Sequence, residues 1–392
     1  MKITDVKVFV VDAYRTNFVF VKLFTDEGLT GVGEGTLEYK EQALVGAIND
    51  LKDYLLGKDP LNIELHSYEI YRSSYWRNGV VLQSALSAVE IAMWDIKGKY
   101  YNVPVYELLG GKVRDRVRIY ANGWFAGSKE PKEFAEKALV AVNKGVEALK
   151  WDPFGKAYLN MTLPEYNAAF DCIGAVRDAV GWNVELLIEG HGRFNINTAL
   201  NIAKELKQYK VLWFEEPVPP DNLDALAEVR AKAGIPIAAG ERVYSTYAFR
   251  EFLEKRCADF CQPDVTHAGG ISAIKKMSAM AEPYYVEMAA HNPSGPIANA
   301  ATLQLAANLP NYFVHEIMLT DVSWRPELTN EVVEFEDGCI KIPNKPGLGL
   351  EINEEACAKY PFKAKFLRHY RGDLTDIRPQ GTSTIFYFQG ID

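Results

Sequence analysis

Three rhythms of apolar and polar positions succeed one another along the chain. Residues 3–11 and 17–24 alternate as half-buried strands do, Asp26-Glu27-Gly28 supplies a turn, and a short third strand falls near Thr30-Gly-Val-Gly-Glu34. Helical spacing then covers about 41–56, 60–74 and 81–100, and in the last of these Leu86, Val89, Ile91, Ala92 and Ile96 form one apolar face that reads as core. From about residue 116 strands alternate with helices, the strands falling at 116–121, 147–152, 185–190, 211–216, 235–240, 259–264, 284–290 and 312–317. Eight such strands predict an α/β fold with a closed parallel barrel rather than an open sheet. The division that follows is an amino-terminal α+β domain over 1–115, a barrel over 116–325, and a segment over 326–392 that returns to the first domain. Residues 380–392 are assigned no function.

Composition narrows the partners. A net charge of −9 over 392 residues lacks the basic footprint that nucleic acid or an anionic membrane would need. The five cysteines, Cys172, Cys257, Cys261, Cys339 and Cys357, are scattered and read as free thiols of a reducing compartment. The amino terminus alternates like a strand, and no apolar run approaches the ~18 residues of a membrane helix. A cytoplasmic enzyme acting on a small molecule is the expectation.

Chemistry concentrates at the strand ends. Glu189, Glu215 and Glu241 each close a short apolar run, and they stand 26 residues apart. In a barrel, strand ends converge on one face, and three carboxylates meeting there suit a hard divalent cation such as Mg2+. Side chains two apart on a strand share a face, so Glu189 is expected to point with His191, and Lys150 with Asp152. Asp264 and His291 end the sixth and seventh strands, close enough for a carboxylate to hydrogen-bond an imidazole and raise its basicity. Glu316 ends the eighth, with His315 facing the other way. His66, His267, His315 and His369 read as structural. A cation cage beside a His–Asp pair suits removal of the α-proton of a carboxylate, because the resulting enediolate carries two negative charges that need cations. Lys150 and Arg242 are the cationic side chains expected near it.

Trp94-Asp-Ile-Lys-Gly-Lys99, Leu108-Leu-Gly-Gly111, Phe214-Glu-Glu-Pro217, Ala239-Gly-Glu-Arg242, Gln262-Pro-Asp264 and Pro346-Gly-Leu-Gly-Leu-Glu351 together resemble the enolase superfamily, mandelate racemase subgroup, and within it the acid-sugar dehydratases. The resemblance runs over about residues 1–360. It implies a modified (β/α)7β TIM barrel lacking the eighth helix, an α+β capping domain, one Mg2+ per active site, and a dimer or octamer. It further implies that Glu189, Glu215 and Glu241 are the metal ligands, that His291 with Asp264 is the base at carbon 2, that His191 is the acid for the leaving hydroxyl at carbon 3, and that Glu316 binds the substrate carboxylate. Capping-domain loops of such enzymes close over the sugar, which nominates Arg15, Asn17, Tyr75, Trp76 and Arg77. The chain departs from the pattern twice. Glu189 stands where Asp is common, and Lys150-Trp-Asp152 stands where racemases carry Lys-x-Lys, which favours elimination over racemisation.

Dehydration of an aldonic acid is the leading expectation. A cycloisomerase opening an anhydro- or lactone sugar acid uses the same enediolate, and a sugar-acid binder that kept the fold without catalysis is the third reading.

Overall fold

The computed structural model describes residues 1–13, 16–319, 321–330 and 334–365. Arg15, His369 and residues 380–392 therefore lie outside the described residues. The chain opens with an antiparallel meander, β1 (Ile3–Ala13), β2 (Thr16–Thr25) and β3 (Thr30–Glu34), followed by α1 (Glu41–Leu55), α2 (Ile63–Ser73), α3 (Val80–Tyr101) and the short α4 (Val105–Leu108). In α3 the expected single apolar face is wrong: the side chains from Gln83 to Ile96 are all buried. The helix packs against β3 and against a helix of the barrel, and a helix enclosed by both layers has no solvent face to keep polar.

All eight barrel strands form: β4 (Arg116–Asn122), β5 (Ala148–Trp151), β6 (Glu185–Glu189), β7 (Trp213–Glu215), β8 (Ile237–Ala239), β9 (Phe260–Cys261), β10 (Glu287–Met288) and β11 (His315–Met318). They pair in parallel from β4 through β10, and β11 returns to pair with β4. A bridge between Met288 and Tyr312 joins the last two strands and completes the closure. Seven helices separate the strands: α5 (Pro131–Asn143), α6 (Leu163–Val180), α7 (Ile196–Leu206), α8 (Leu223–Lys232), α9 (Thr246–Glu254), α10 (Gly270–Ala281) and α11 (Pro296–Asn308). Their starts are specified locally. Thr162 and Glu165 make a capping box on α6, and Asn195, Asn222 and Ser245 accept N–H bonds at the starts of α7, α8 and α9. Among the described residues no α-helix follows β11 in the barrel, so the architecture is the modified (β/α)7β form.

The barrel is filled, not open. Tyr120, Ala148, Leu187, Trp213, Ala238, Ala289 and Val314, one from each of seven strands or strand entries, form a buried inner layer beneath the carboxyl ends of the strands. Beyond β11 the chain does more than return to the capping domain. The hairpin β12 (Phe335–Glu336) and β13 (Cys339–Lys341) first pairs antiparallel with Arg116–Arg118 at the start of β4, below the part that β11 occupies. Only then does α12 (Glu354–Lys359) pack on β1, where Pro361 bridges Val11. Among the described residues no helix is long and apolar enough to cross a membrane.

Candidate active site

At the carboxyl ends of the strands a cavity of about 300 Å³ opens between the barrel and the capping domain. Glu189 and Glu215 are direct partners in the β6–β7 register. Glu241 is not the third in register: β8 ends at Ala239, and Glu241 lies two residues beyond it. The equal interval of 26 thus overstates the symmetry, but the three carboxylates still converge, each offering an oxygen within 4.8 Å of the others. Burial raises the pKa of Glu215, and the charge of Glu189 raises it further; burial raises Glu189 as well. Glu241 is held low despite burial because His291, Arg242 and His191 surround it. Three oxygen donors in so small a volume, two of them resisting ionisation, fit a small divalent cation that would relieve the repulsion.

Lys150 stands at the centre of this negative charge. Its Nζ lies 2.6 Å from Glu215, 3.0 Å from Glu316 and 3.6 Å from Glu189. Burial opposes its charge, but Glu215 and Glu316 outweigh that and hold its pKa well above the usual value. Glu316 is itself buried, receiving the Asn122 amide at 3.0 Å and the Asn292 N–H at 2.7 Å. Its backbone neighbour His315 faces outward, against Asn299 and Tyr312, as alternation requires.

Two imidazoles enter the cavity, each fixed from behind by a buried carboxylate. His291 Nδ1 is 2.7 Å from Asp264 Oδ2, and its Nε2 is 3.3 Å from Glu241. Burial disfavours the imidazolium, yet Glu241 and Asp264 raise its pKa to about 10. Asp264 keeps its charge against the cost of burial through His267, His291 and Thr266, whose N–H and hydroxyl both donate to Oδ1. His191 Nδ1 is 2.6 Å from Asp152, which also pairs with the buried Arg193. The alternation argument for His191 fails in detail, since β6 stops at Glu189 and His191 has φ of 49°. A left-handed turn, closed by the His191 N–H on Glu189 Oε1 at 2.7 Å, delivers the ring to the same cavity.

Other expectations are redistributed. Asp152 lines the cavity and also holds His191 and Arg193. Arg242 lines the cavity but pairs with Glu216, the second glutamate of Phe214-Glu-Glu-Pro217, through both Nε and Nη2. None of the described capping candidates lines the cavity. Asn17 is buried and gives its amide to Glu41 and the Lys363 carbonyl, Tyr75 and Trp76 are 77% and 79% exposed, and Arg77 lies over the Tyr71 ring. The capping side is supplied instead by Thr16, Thr36, Leu37, Glu38 and Lys40. Asn122 also lines it and was missed, although it ends a barrel strand just as Glu189 does. His267, read as structural, borders the cavity with Nδ1 2.9 Å from Ser84 Oγ.

Both halves of the chain match known family models. Residues 4–110 match the mandelate racemase / muconate lactonizing enzyme N-terminal domain, and residues 133–356 the enolase C-terminal domain-like family. The chain belongs to the enolase superfamily. Within the mandelate racemase group of that superfamily it is 36% identical over 366 residues to D-galactonate dehydratase of Variovorax paradoxus, covering 91% of this chain and 93% of that one. It is 36% identical over 344 residues to D-gluconate dehydratase of Thermoproteus tenax, covering 87% and 69%. The crystal structure of a mandelate racemase/muconate lactonizing enzyme from Jannaschia sp. CCS1 superposes with a TM-score of 0.86 at 32% identity, covering 94% of this chain and all of that one. Like its dehydratase relatives, this enolase superfamily member is a hydro-lyase.

Proposed function

We propose that the enzyme is a Mg2+-dependent dehydratase of a hexonate-like aldonic acid, yielding a 2-keto-3-deoxy acid. The observation that carries the reading is the pair of carboxylate-fixed imidazoles, His291–Asp264 and His191–Asp152, facing one cavity beside the three clustered glutamates. Names of the relatives support the substrate class, since both are dehydratases of six-carbon sugar acids.

In this reading His291 Nε2 takes the carbon 2 proton. The electron pair left behind moves into the carboxylate as an enediolate, then returns to form the carbon 2–carbon 3 double bond as the carbon 3–oxygen bond breaks. His191 gives a proton to the departing oxygen, which leaves as water, and the enol becomes the 2-keto-3-deoxy acid. Glu189, Glu215 and Glu241 would hold Mg2+, which when bound would share the charge of Glu241, so that His291 is neutral and able to act as a base, and would neutralise the enediolate oxygens. Lys150 supplies a fixed positive charge near the substrate carboxylate. Asp264 and Asp152 each hold Nδ1–H, so the proton-transferring atom is Nε2 on both rings. Asp152 stands where a Lys-x-Lys pair would place its second lysine, so protonation from the opposite face lacks that agent and elimination prevails over racemisation.

The test is a screen of the purified protein with Mg2+ against open-chain, anhydro and lactone sugar acids, with semicarbazide detection of 2-keto-3-deoxy products. Product from an open-chain hexonate is expected. Turnover confined to anhydro or lactone forms would replace the dehydratase reading by ring opening.

A further inference from the structure

Asp264 and His291 lie on separate loops, and each loop runs directly into a barrel helix whose start is gripped by the capping domain. After Asp264 the chain passes His267 and Gly269 into α10. There Glu90 of α3 accepts the N–H groups of Ile271 at 2.8 Å and Ser272 at 2.9 Å, and the Ser272 hydroxyl at 2.6 Å. Ser87, one turn earlier on α3, accepts the Gly269 N–H at 2.9 Å. After His291 the chain passes Ser294 into α11. Glu34, at the end of β3, accepts the N–H groups of Gly295 at 2.6 Å and Ala298 at 2.8 Å.

Neither carboxylate borders the cavity, and both are completely buried. The barrel makes room for them: a Cβ on Gly270 would stand 2.0 Å from Glu90 Oε2, and one on Gly295 would stand 2.7 Å from Glu34 Oε1. Carboxylates seated on helix N-termini form charge-assisted bonds to otherwise unpaired donors, so each contact is stiff as well as specific. We propose that Glu34 and Glu90 are positioning residues for the reaction, one carboxylate of the capping domain holding the loop of the base and the other the loop of its partner. The capping domain then fixes the separation between Asp264 and His291 as well as covering the substrate. The proposal rests on the reading of His291 as the base, but its structural part can be tested without turnover.

The experiment uses Glu34→Gln and Glu90→Gln in the full chain labelled with 15N-histidine. The Nδ1 protons of His291 and His191, each bonded to a carboxylate, are followed by proton NMR and assigned by loss in His291→Asn and His191→Asn. In both Gln variants the His291 resonance should move or broaden while that of His191, whose partner Asp152 is bonded to Arg193 and the Phe154 N–H, stays in place. With a turned-over hexonate, kcat should fall by about ten- to a hundredfold because the dyad moves, and KM should change less, by no more than the shift of Thr36 and Ser294 in the cavity wall allows. If either Gln variant fails to fold, Ser87→Ala, which removes the acceptor of the Gly269 N–H and a bond to the Gln83 carbonyl within α3, should shift the His291 signal in the same direction by less. An unmoved His291 signal in folded variants, or a wild-type kcat in the folded fraction, would overturn the proposal. A protein that turns over no hexonate yet shows the selective shift would retain the clamp and reject the substrate assignment.

Discussion

At the scale of the residue, His291 and His191 differ in what stands beside them, and that difference predicts different phenotypes. His291→Asn should abolish both turnover and exchange of the carbon 2 proton with solvent deuterium. His191→Asn should lose elimination while retaining some exchange, because it acts on the leaving group after the proton has gone. Proton NMR of recovered substrate in deuterium oxide reads both, and exchange lost only in His191→Asn would reverse the assignments. Lys150→Met makes a separate case. A charge-assisted contact of ~1.5 to 3 kcal/mol corresponds to about a ten- to hundredfold loss in kcat/KM, with exchange still detectable. A far larger loss accompanied by vanished exchange would make Lys150 the base. The residue scale is also where the sequence was most legible. Asp264 and His291 could be paired from two neighbouring strand ends, whereas Arg193 beneath Asp152 could not, since nothing in His191-Gly-Arg193 marks an arginine as fully buried. Asp152 was visible as a strand-end acid, but its role depended on a turn whose handedness alternation does not encode.

At the scale of the element, β11 turns Glu316 toward Lys150 and its neighbour His315 the other way, into buried surroundings. Burial drives the pKa of His315 down to about 3. Its Nε2 is 2.7 Å from Asn299 Oδ1 and its Nδ1 is 3.2 Å from the Tyr312 hydroxyl. The neutral ring can donate from Nε2 and accept at Nδ1, and a second proton would cost the latter bond. The folded protein therefore resists protonation that the unfolded chain accepts near pH 6.5. Stability from this group is fully present above that pH and is lost as pH falls from about 6.5 towards about 3, by roughly 3 to 5 kcal/mol at the low end. Urea melts between pH 4 and 7 should show a shallower acid decline in His315→Gln than in the wild type, and parallel curves would refute the assignment. Element order and the count of strands could be read from periodicity, because buried parallel strands and amphipathic helices have distinct rhythms, whereas the missing eighth helix came from the family resemblance. Burial of α3 on every side could not, since enclosure by two layers is a property of the tertiary packing and not of the helix's own spacing.

At the scale of the whole molecule, the three glutamates come from three successive strand-helix units of the barrel, so a cation between them favours the closed barrel over every unfolded form. At a hundred times the dissociation constant the gain is about 2.7 kcal/mol. Calorimetry should find the unfolding midpoint raised by Mg2+ and returned to baseline by excess chelator. Glu215→Gln should lose most of that response, and a midpoint indifferent to Mg2+ in the wild type would remove the metal from the account. Which capping residues face the substrate was beyond the reach of the sequence for a related reason. Exposed aromatic residues such as Trp76 look suited to a ligand, but the approach of the two domains decides which residues meet the cavity, and it brings Thr16, Thr36, Leu37, Glu38, Lys40 and Val80 there.

The late return of the chain to the meander has a consequence for biosynthesis. Asp12 N–H bonds the Tyr360 carbonyl at 2.9 Å, so β1 is sealed by a segment that leaves the ribosome only after the entire barrel. Domains generally fold as units during synthesis, amino-terminal first. This capping domain cannot finish that way, because α12 and Pro361 emerge only after the entire barrel. Translation thus delivers a meander with one unsealed flank for the time needed to add more than three hundred residues, and a message cut short upstream of α12 yields a product that quality-control proteases can recognise by that flank.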